Sequence, residues 1–203
     1  MIDRAEAWKI VTDHVAEPGL RRHMVAVEAA TRWYAERLGG DPEQWGIAGL
    51  LHDFDWEIHP SIERHPKEGI PILRARGVDD EAVIQAILAH NTEGTGVERK
   101  TALDYTLLAC DEITGLIIAG ALVRPHKDLR QLNVKSVQKN FKEKIFAAGV
   151  DRDHVTKATE EFSQFCYGGQ LSLWEHVGNV LTAMQGIAEE LELDGRLARA
   201  TLP

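Results

Sequence analysis

The sequence predicts an all-α protein, and three observations support this fold class. Alternation of apolar and polar residues with a period of two, the signature of half-buried strands, is almost absent. Apolar residues instead recur at the three- and four-residue spacing of helices along the chain. Glycine and proline interrupt this pattern at intervals that suit short loops. We therefore expect a bundle of eight or nine helices.

Glycine and proline delimit the first three predicted helices. Pro18-Gly19 is expected to end the first helix, and Gly39-Gly40 the second. Asp41-Pro42 combines an N-cap residue with proline at the first helical position, so it predicts the start of the third helix. The predicted boundaries are 3–16, about 20–38 and about 42–53.

The rest of the chain continues the helical pattern around one loop. Acidic residues at 79–81 favour a helix N-terminus, because negative charge there complements the helix dipole. The stretch "NTEGTGVERK" at 91–100 is predicted to be a loop, and Pro125 is expected to end the long helix that follows it. The remaining predicted helices cover about 66–76, 79–90, 101–123, 134–148, 151–166 and 170–193.

Length, charge and cysteine usage narrow the class of protein. A chain of 203 residues with 44% hydrophobic residues fits one domain, expected here over 1–203. Its formal net charge of −9 argues against binding to duplex nucleic acid, whose phosphates require clustered positive charge. The longest apolar run has nine residues at 115–123, whereas about 20 are needed to span a bilayer. With two widely spaced cysteines, a cytoplasmic protein is expected. The oligomeric state stays open.

Several histidines and carboxylates fall on apolar faces of different predicted helices. His23, for example, shares a face with Val27 and Tyr34. A lone inward histidine is usually a hydrogen-bonded core residue, but buried carboxylates are costly unless they are paired or bound to metal. Helical bundles commonly build metal sites from inward side chains on facing helices. Imidazole and carboxylate together suit Mn, Fe, Zn or Mg. The other residues in this pattern are His52, Asp53, His90 and Asp111.

The order of these residues resembles the HD superfamily of metal-dependent phosphohydrolases, whose pattern is H…HD…D in an all-helical domain. The resemblance covers about residues 20–125 and rests on "AGLLHD", "HPKEG", "ILAHN" and "LLACDEI" in combination. It implies an HD-type helical bundle with a metal-binding core at about 20–125, on which helices within 134–193 pack. The metal ligands that it implies are His23, His52, Asp53 and Asp111.

Two further motifs are similar to those of the HD-GYP group, which holds two metal ions. "HPKEG" is similar to its HP-x-x-G element and implies that His65 is a ligand. "AHN" is similar to its HH element, which implies His90 as a ligand and places Asn91 where a second histidine would stand. Because the GYP stretch is absent, an HDIG-like protein is expected rather than a true HD-GYP enzyme. The six residues suit a dinuclear site with Asp53 as the bridge.

Residues outside this ligand set are also candidates for function. Asp55 and Glu57 follow His52-Asp53, and these four are the candidate catalytic residues; the alternative for Asp55 and Glu57 is a solvated turn. The stripe Lys135, Lys139 and Lys142 is a candidate phosphate-binding surface. Its alternative is the solvated side of a helix whose apolar side carries Val134, Val137, Phe141 and Ile145.

The expected function is hydrolysis of a phosphomonoester or phosphodiester, nucleotide-like, by hydroxide that a divalent metal generates. Two ions are expected, and the partner is a small phosphorylated substrate. Two alternatives remain open from the ligand types alone. One is an HD-type diiron oxygenase, and the other is a non-catalytic module that binds nucleotides.

Overall fold

The computed structural model of the protein describes residues 2–143 and 145–199, and it confirms the all-α class. No strand occurs in these ranges, where the sole β pairing is an isolated bridge between Asp128 and Asp194. A short 3-10 helix covers Leu129–Gln131. The α-helices are α1 (Arg4–His14), α2 (Pro18–Leu38), α3 (Pro42–Leu51), α4 (Ile70–Ala75), α5 (Glu81–His90), α6 (Thr92–Thr95), α7 (Ala102–Leu122), α8 (Val134–Lys142), α9 (Arg152–Tyr167), α10 (Leu173–Gly186) and α11 (Arg196–Arg199).

Capping explains where most of these helices begin. Asp41 accepts a hydrogen bond from the backbone amide of Glu43 at the start of α3, as the sequence predicted. The expectation that Pro18 ends the first helix was wrong. Pro18 instead occupies the first position of α2, where its missing N–H costs nothing, and the carboxylate of Glu17 caps the helix.

The remaining departures lie where short helices and turns replace longer predicted helices. Residues 66–69 form turns, so α4 is shorter than expected. The predicted loop at 91–100 contains α6, which Asn91 caps. Helix α8 ends at Lys142, so Ile145 does not belong to its apolar side and is 95% exposed.

The chain divides into two compact units, residues 1–108 and 109–203. In the first unit α3 is the central helix and packs against α1, α2 and α5. Each residue from Trp45 to Leu51 is buried, as expected for a helix that is apolar on all sides. Gly49 permits the close approach of α3 to α2, because a Cβ there would lie 2.6 Å from Thr31 Oγ1 and 3.0 Å from Glu28 Cα.

In the second unit α10 packs against α8, α9 and the 3-10 helix. Helix α7 runs continuously from the first unit into the second. By length and composition it is the one described helix that is apolar enough to cross a membrane, but 61% of its apolar window is buried in the structure. Core helices of globular proteins share these properties, so α7 is weak evidence for a membrane span.

His176 on α10 is fully buried, and its Nε2–H donates a hydrogen bond to the carbonyl of Ala109 at 2.9 Å. Burial disfavours the charged imidazolium and lowers the pKa of His176 to about 4, although the carbonyl partly offsets this effect. This histidine is therefore a neutral, hydrogen-bonded core residue, as a lone inward histidine usually is.

We predict that His176 makes the stability of the protein fall at acidic pH. Because its pKa is lower in the folded than in the unfolded state, its stabilising contribution is complete above about pH 6.5 and is lost as the pH falls toward 4. The loss amounts to at most about 3 kcal/mol. Urea unfolding between pH 4 and 7 should show a shallower pH dependence for His176→Gln than for the wild type. His126→Gln, which replaces an exposed histidine, is the matched control. An unaltered slope in His176→Gln would contradict the assignment.

Candidate metal centre

Three helices and one loop of the first unit bring four histidines around Asp53. Helix α2 carries His23, and His52 and Asp53 follow directly at the end of α3. His90 is the last residue of α5, and His65 lies in the turns between α3 and α4. The close packing of α3 on α2 and of α5 on α3 thus determines where these side chains meet.

The two carboxylate oxygens of Asp53 face two different pairs of histidines. Oδ2 lies 3.7 Å from His23 Nε2 and 3.4 Å from His52 Nε2. Oδ1 lies 3.1 Å from His65 Nε2 and 3.7 Å from His90 Nε2. Each group offers its donor atoms within 4.8 Å of one another. A carboxylate between two donor groups has the geometry of a bridging ligand.

Hydrogen bonds at Nδ1 fix the orientation and tautomer of three of these imidazoles. His52 Nδ1 donates to the carbonyl of Gly49 at 2.8 Å, and His90 Nδ1 donates to the carbonyl of Ile87 at 2.5 Å. His65 Nδ1 lies 2.7 Å from Asp55 Oδ1. A carbonyl or carboxylate oxygen can only accept, so each Nδ1 carries a proton, and in a neutral ring the lone pair is then on Nε2.

The Nε2 atoms that remain face each other at contact distance. His65 Nε2 and His90 Nε2 are 3.1 Å apart, and His23 Nε2 and His52 Nε2 are 3.3 Å apart. In the neutral His65–His90 pair neither Nε2 has a proton to donate, so two lone pairs point at one another. Such a contact is repulsive unless a positive charge lies between the nitrogens. The donor set therefore fits a divalent cation at each pair.

The shifted pKa values of Asp53 and His65 also indicate that the cluster favours positive charge. Burial favours the neutral form of Asp53, but the charge of His52 and hydrogen bonds from the imidazoles outweigh it and hold the pKa of Asp53 well below its usual value. Burial also disfavours protonated His65, yet hydrogen bonds to Asp53 and Asp55 outweigh burial and raise the pKa of His65 to about 9. A cation at Nε2 would compete with this proton.

Solvent reaches the cluster at two of its five residues. The side chains of His23 and Asp53 are each 18% exposed, whereas those of His52, His65 and His90 are 0%, 4% and 6% exposed. Water or a substrate can therefore reach the cluster at His23 and Asp53, while the other three imidazoles are shielded.

Asp55 lies behind His65 and is fully buried. Its Oδ1 accepts the His65 hydrogen bond, and its Oδ2 is buried without a hydrogen-bond partner among the described residues. Gly69 makes room for this carboxylate, because a Cβ at Gly69 would lie 2.6 Å from Asp55 Cγ and Oδ2. The last residue of the "HPKEG" motif therefore has a steric role. This carboxylate orients the imidazole, as partners of metal-bound histidines usually do.

Glu57 and His59 contact groups outside the donor cluster. The carboxylate of Glu57 accepts hydrogen bonds from the backbone amides of Ala16 and Glu17, which holds the chain at the start of α2. These contacts describe a structural role for Glu57. His59 Nδ1 accepts a hydrogen bond from Arg64 at 2.9 Å and lies 3.4 Å from Glu68. The structure thus places His65, and not His59, in the cluster.

Asn91 fastens the loop that carries His65. Its Nδ2 donates to the carbonyls of Ile62 at 2.8 Å and His65 at 2.6 Å, while its Oδ1 accepts from the amide of Gly94. Where the resemblance places a second histidine, this chain therefore has a residue that fixes the loop. Nothing in the sequence pattern indicated this role, nor the contacts that Gly49 and Ile87 make through their carbonyls.

The other sequence-predicted site residues belong to the second unit. Asp111 lies half-buried on α7, one turn beyond the last residue of the first unit. The side chains of Lys135, Lys139 and Lys142 are exposed on α8, and the buried Val137 lies on its opposite side. That stripe remains a prediction.

One protein family model matches the part of the chain that carries this cluster. Residues 20–116 match the family model of the HD domain, a range that contains all four histidines of the cluster, Asp53 and Asp111. No curated protein and no solved structure matches the chain. The all-α fold and the donor cluster agree with this match. Residues 20–116 therefore form an HD domain, a family most of whose members are metal-dependent hydrolases.

Proposed function

We propose that the protein is a phosphohydrolase that binds two divalent metal ions and hydrolyses a phosphate ester, nucleotide-like, in an HDIG-like HD domain. The observation that carries the proposal is the arrangement of two histidine pairs around the two oxygens of Asp53. His23 and His52 would hold one ion together with Oδ2, and His65 and His90 would hold the other together with Oδ1. The H…HD…D pattern assigns Asp111 to the first ion.

Bound ions would acidify a water molecule to serve as the nucleophile and would neutralise the charge of the phosphate. The protein residues contribute orientation. Nδ1 hydrogen bonds aim His52 and His90 before any ligand arrives, and Asp55 does the same for His65. In the overall reaction the water oxygen forms a bond to phosphorus, the P–O ester bond breaks, and the alcohol leaves with a proton.

Metal stoichiometry is the first test. After reconstitution with Mn²⁺ and gel filtration, mass spectrometry of the metal should find two ions per wild-type chain. His23→Ala and His65→Ala should each lose one ion, because each removes a donor from a different pair. Asp53→Asn should weaken both sites. His126→Ala, which alters an exposed histidine outside residues 20–116, is the matched control and should keep both ions.

Hydrolysis of nucleotides and of phosphodiesters should require the same metal. We expect chelation to abolish activity, and re-addition of Mn²⁺ to restore it. The variants His52→Ala and Asp53→Asn should lower kcat/KM at least 100-fold, since both remove donors on which the nucleophile depends. Full activity in either variant, or in chelated protein, would refute the assignment of the site.

The buried pair of His65 and Asp55 yields a second prediction. Asp55→Asn keeps a hydrogen-bond acceptor for Nδ1 but removes its negative charge, so metal affinity should fall about 10- to 100-fold. Gly69→Ala should act in the same direction, because its methyl group displaces the Asp55 carboxylate. Asp151→Asn is the control, since asparagine caps α9 as well as aspartate does. Competition with a fluorescent chelator measures the affinities; equal values for Asp55→Asn and the wild type would contradict this role.

We also propose that the lysine stripe on α8 attracts the phosphorylated substrate. Its support is the charge pattern: three exposed lysines in a chain whose net charge is −9. If so, replacing Lys135, Lys139 and Lys142 with alanine raises KM several-fold at low ionic strength and leaves kcat unchanged. The difference should vanish at high salt, because salt screens exposed charges. A KM that is the same at both salt concentrations would contradict the proposal.

A further inference from the structure

Apolar side chains are exposed on the segment that follows His52-Asp53. Among the described residues six large apolar side chains are exposed, and three of them lie between positions 56 and 62. Trp56, Ile58 and Ile62 are 38%, 40% and 47% exposed. Scattered exposed apolar residues need no explanation, but a concentration beside a polar site indicates a contact surface.

Trp56 is connected directly to the donor cluster. Its indole ring packs against the His65 imidazole at 90°, with 5.1 Å between ring centroids. Its backbone amide also donates a hydrogen bond to the carbonyl of Asp53 at 3.0 Å. The indole therefore has a defined position next to the proposed bridging residue and one of its histidines.

The rest of the segment is also held in place. Asn91 donates hydrogen bonds to the carbonyls of Ile62 and His65, so the C-terminal end of this stretch is tied to the turn after α5. Arg64 donates to Glu68 and to His59 within the same loop. The apolar side chains are thus exposed on a loop that hydrogen bonds hold in place, although burying them would be favourable.

The position of this surface indicates what covers it. A phosphate bound at His65 must carry its organic group outward, and Trp56 borders that histidine. A protein partner is a poor fit, because stable interfaces bury about 800 Å² on each side, far more than three half-exposed side chains offer. An indole face suits a flat aromatic ring, which stacks on it irrespective of the ring's hydrogen-bonding pattern.

We propose that Trp56 is a specificity-determining residue that stacks on an aromatic ring, such as a nucleobase, in the alcohol part of the substrate. Ile58 and Ile62 extend the apolar wall. This inference rests on the proposed function, since it takes the phosphate to bind at the donor cluster. It adds that the substrate is a phosphate ester with a flat aromatic group and not a simple sugar phosphate.

The test compares two ligands that differ only in the base. Calorimetry with Mn²⁺-loaded protein would use phosphonate analogues of AMP and of ribose 5-phosphate, in which CH₂ replaces the ester oxygen and prevents hydrolysis. The wild type should bind the AMP analogue at least about 10-fold more tightly. Trp56→Ala should bring this ratio close to one by weakening the AMP analogue alone. Phe165→Ala, which removes a 49% exposed aromatic ring from α9, is the matched control and should leave the ratio unchanged.

Two further variants separate stacking from damage to the site. Trp56→Phe keeps an aromatic face and should keep most of the preference, whereas Trp56→Leu keeps an apolar contact with His65 and should lose it. The metal content of each variant is measured alongside. A wild-type ratio near one, an unchanged ratio in Trp56→Ala, or equal ratios in the phenylalanine and leucine variants would overturn the proposal.

Hydrolysis assays distinguish this proposal from the proposed function. A preference for the AMP analogue that depends on Trp56, found in a protein that hydrolyses no phosphate ester, would support the role of Trp56 and refute the phosphohydrolase. Hydrolysis of AMP and ribose 5-phosphate with equal kcat/KM would overturn the role of Trp56 and support the phosphohydrolase.

Discussion

Convergence of four imidazoles on the Asp53 carboxylate is the constraint around which the first unit is arranged. Two histidine pairs point their Nε2 atoms at one another across Asp53, and in three of the rings the other nitrogen is already engaged. Folding must therefore hold four polar rings together in a largely buried site, which is costly unless they are paired or bind a cation. The close packing of α2, α3 and α5 does so, and Gly49 permits the approach of the first two helices. Such an arrangement is stabilised by a cation and weakened without one.

The three oriented imidazoles do not have equal partners. His52 and His90 donate to backbone carbonyls, whereas His65 donates to a buried carboxylate whose second oxygen has no described partner. A negative partner makes an imidazole a stronger electron donor than a carbonyl does. His65 is therefore the strongest electron donor of the three, although all three donor atoms are of the same kind.

Much of the candidate site could be predicted, because its histidines and carboxylates stand at recognisable positions on apolar helical faces. His23 lies on an apolar helical face, and His52-Asp53 directly follows a helix that is apolar throughout, so their inward direction follows from periodicity.

The features that the sequence could not show depend on contacts between distant segments. Glu57 reaches back to the amides of residues 16 and 17, and Asn91 ties down the His65 loop; no local pattern encodes either contact. A predicted helix boundary was wrong where one residue is compatible with two positions. Pro18, for example, can follow one helix or begin the next.

The tight packing around Gly94 affects how the protein binds a ligand. A Cβ at this glycine would lie 1.8 Å from the carbonyl oxygen of Ile62, so the turn after α5 and the loop beside Trp56 touch backbone to backbone. No side chain is there to rotate away and let the loop adjust. The backbone at Ile62 is consequently held in place before binding, which lowers the conformational entropy that remains to be lost when a ligand arrives. Recognition at this edge then depends on the shape of the ligand, which must match a surface already formed.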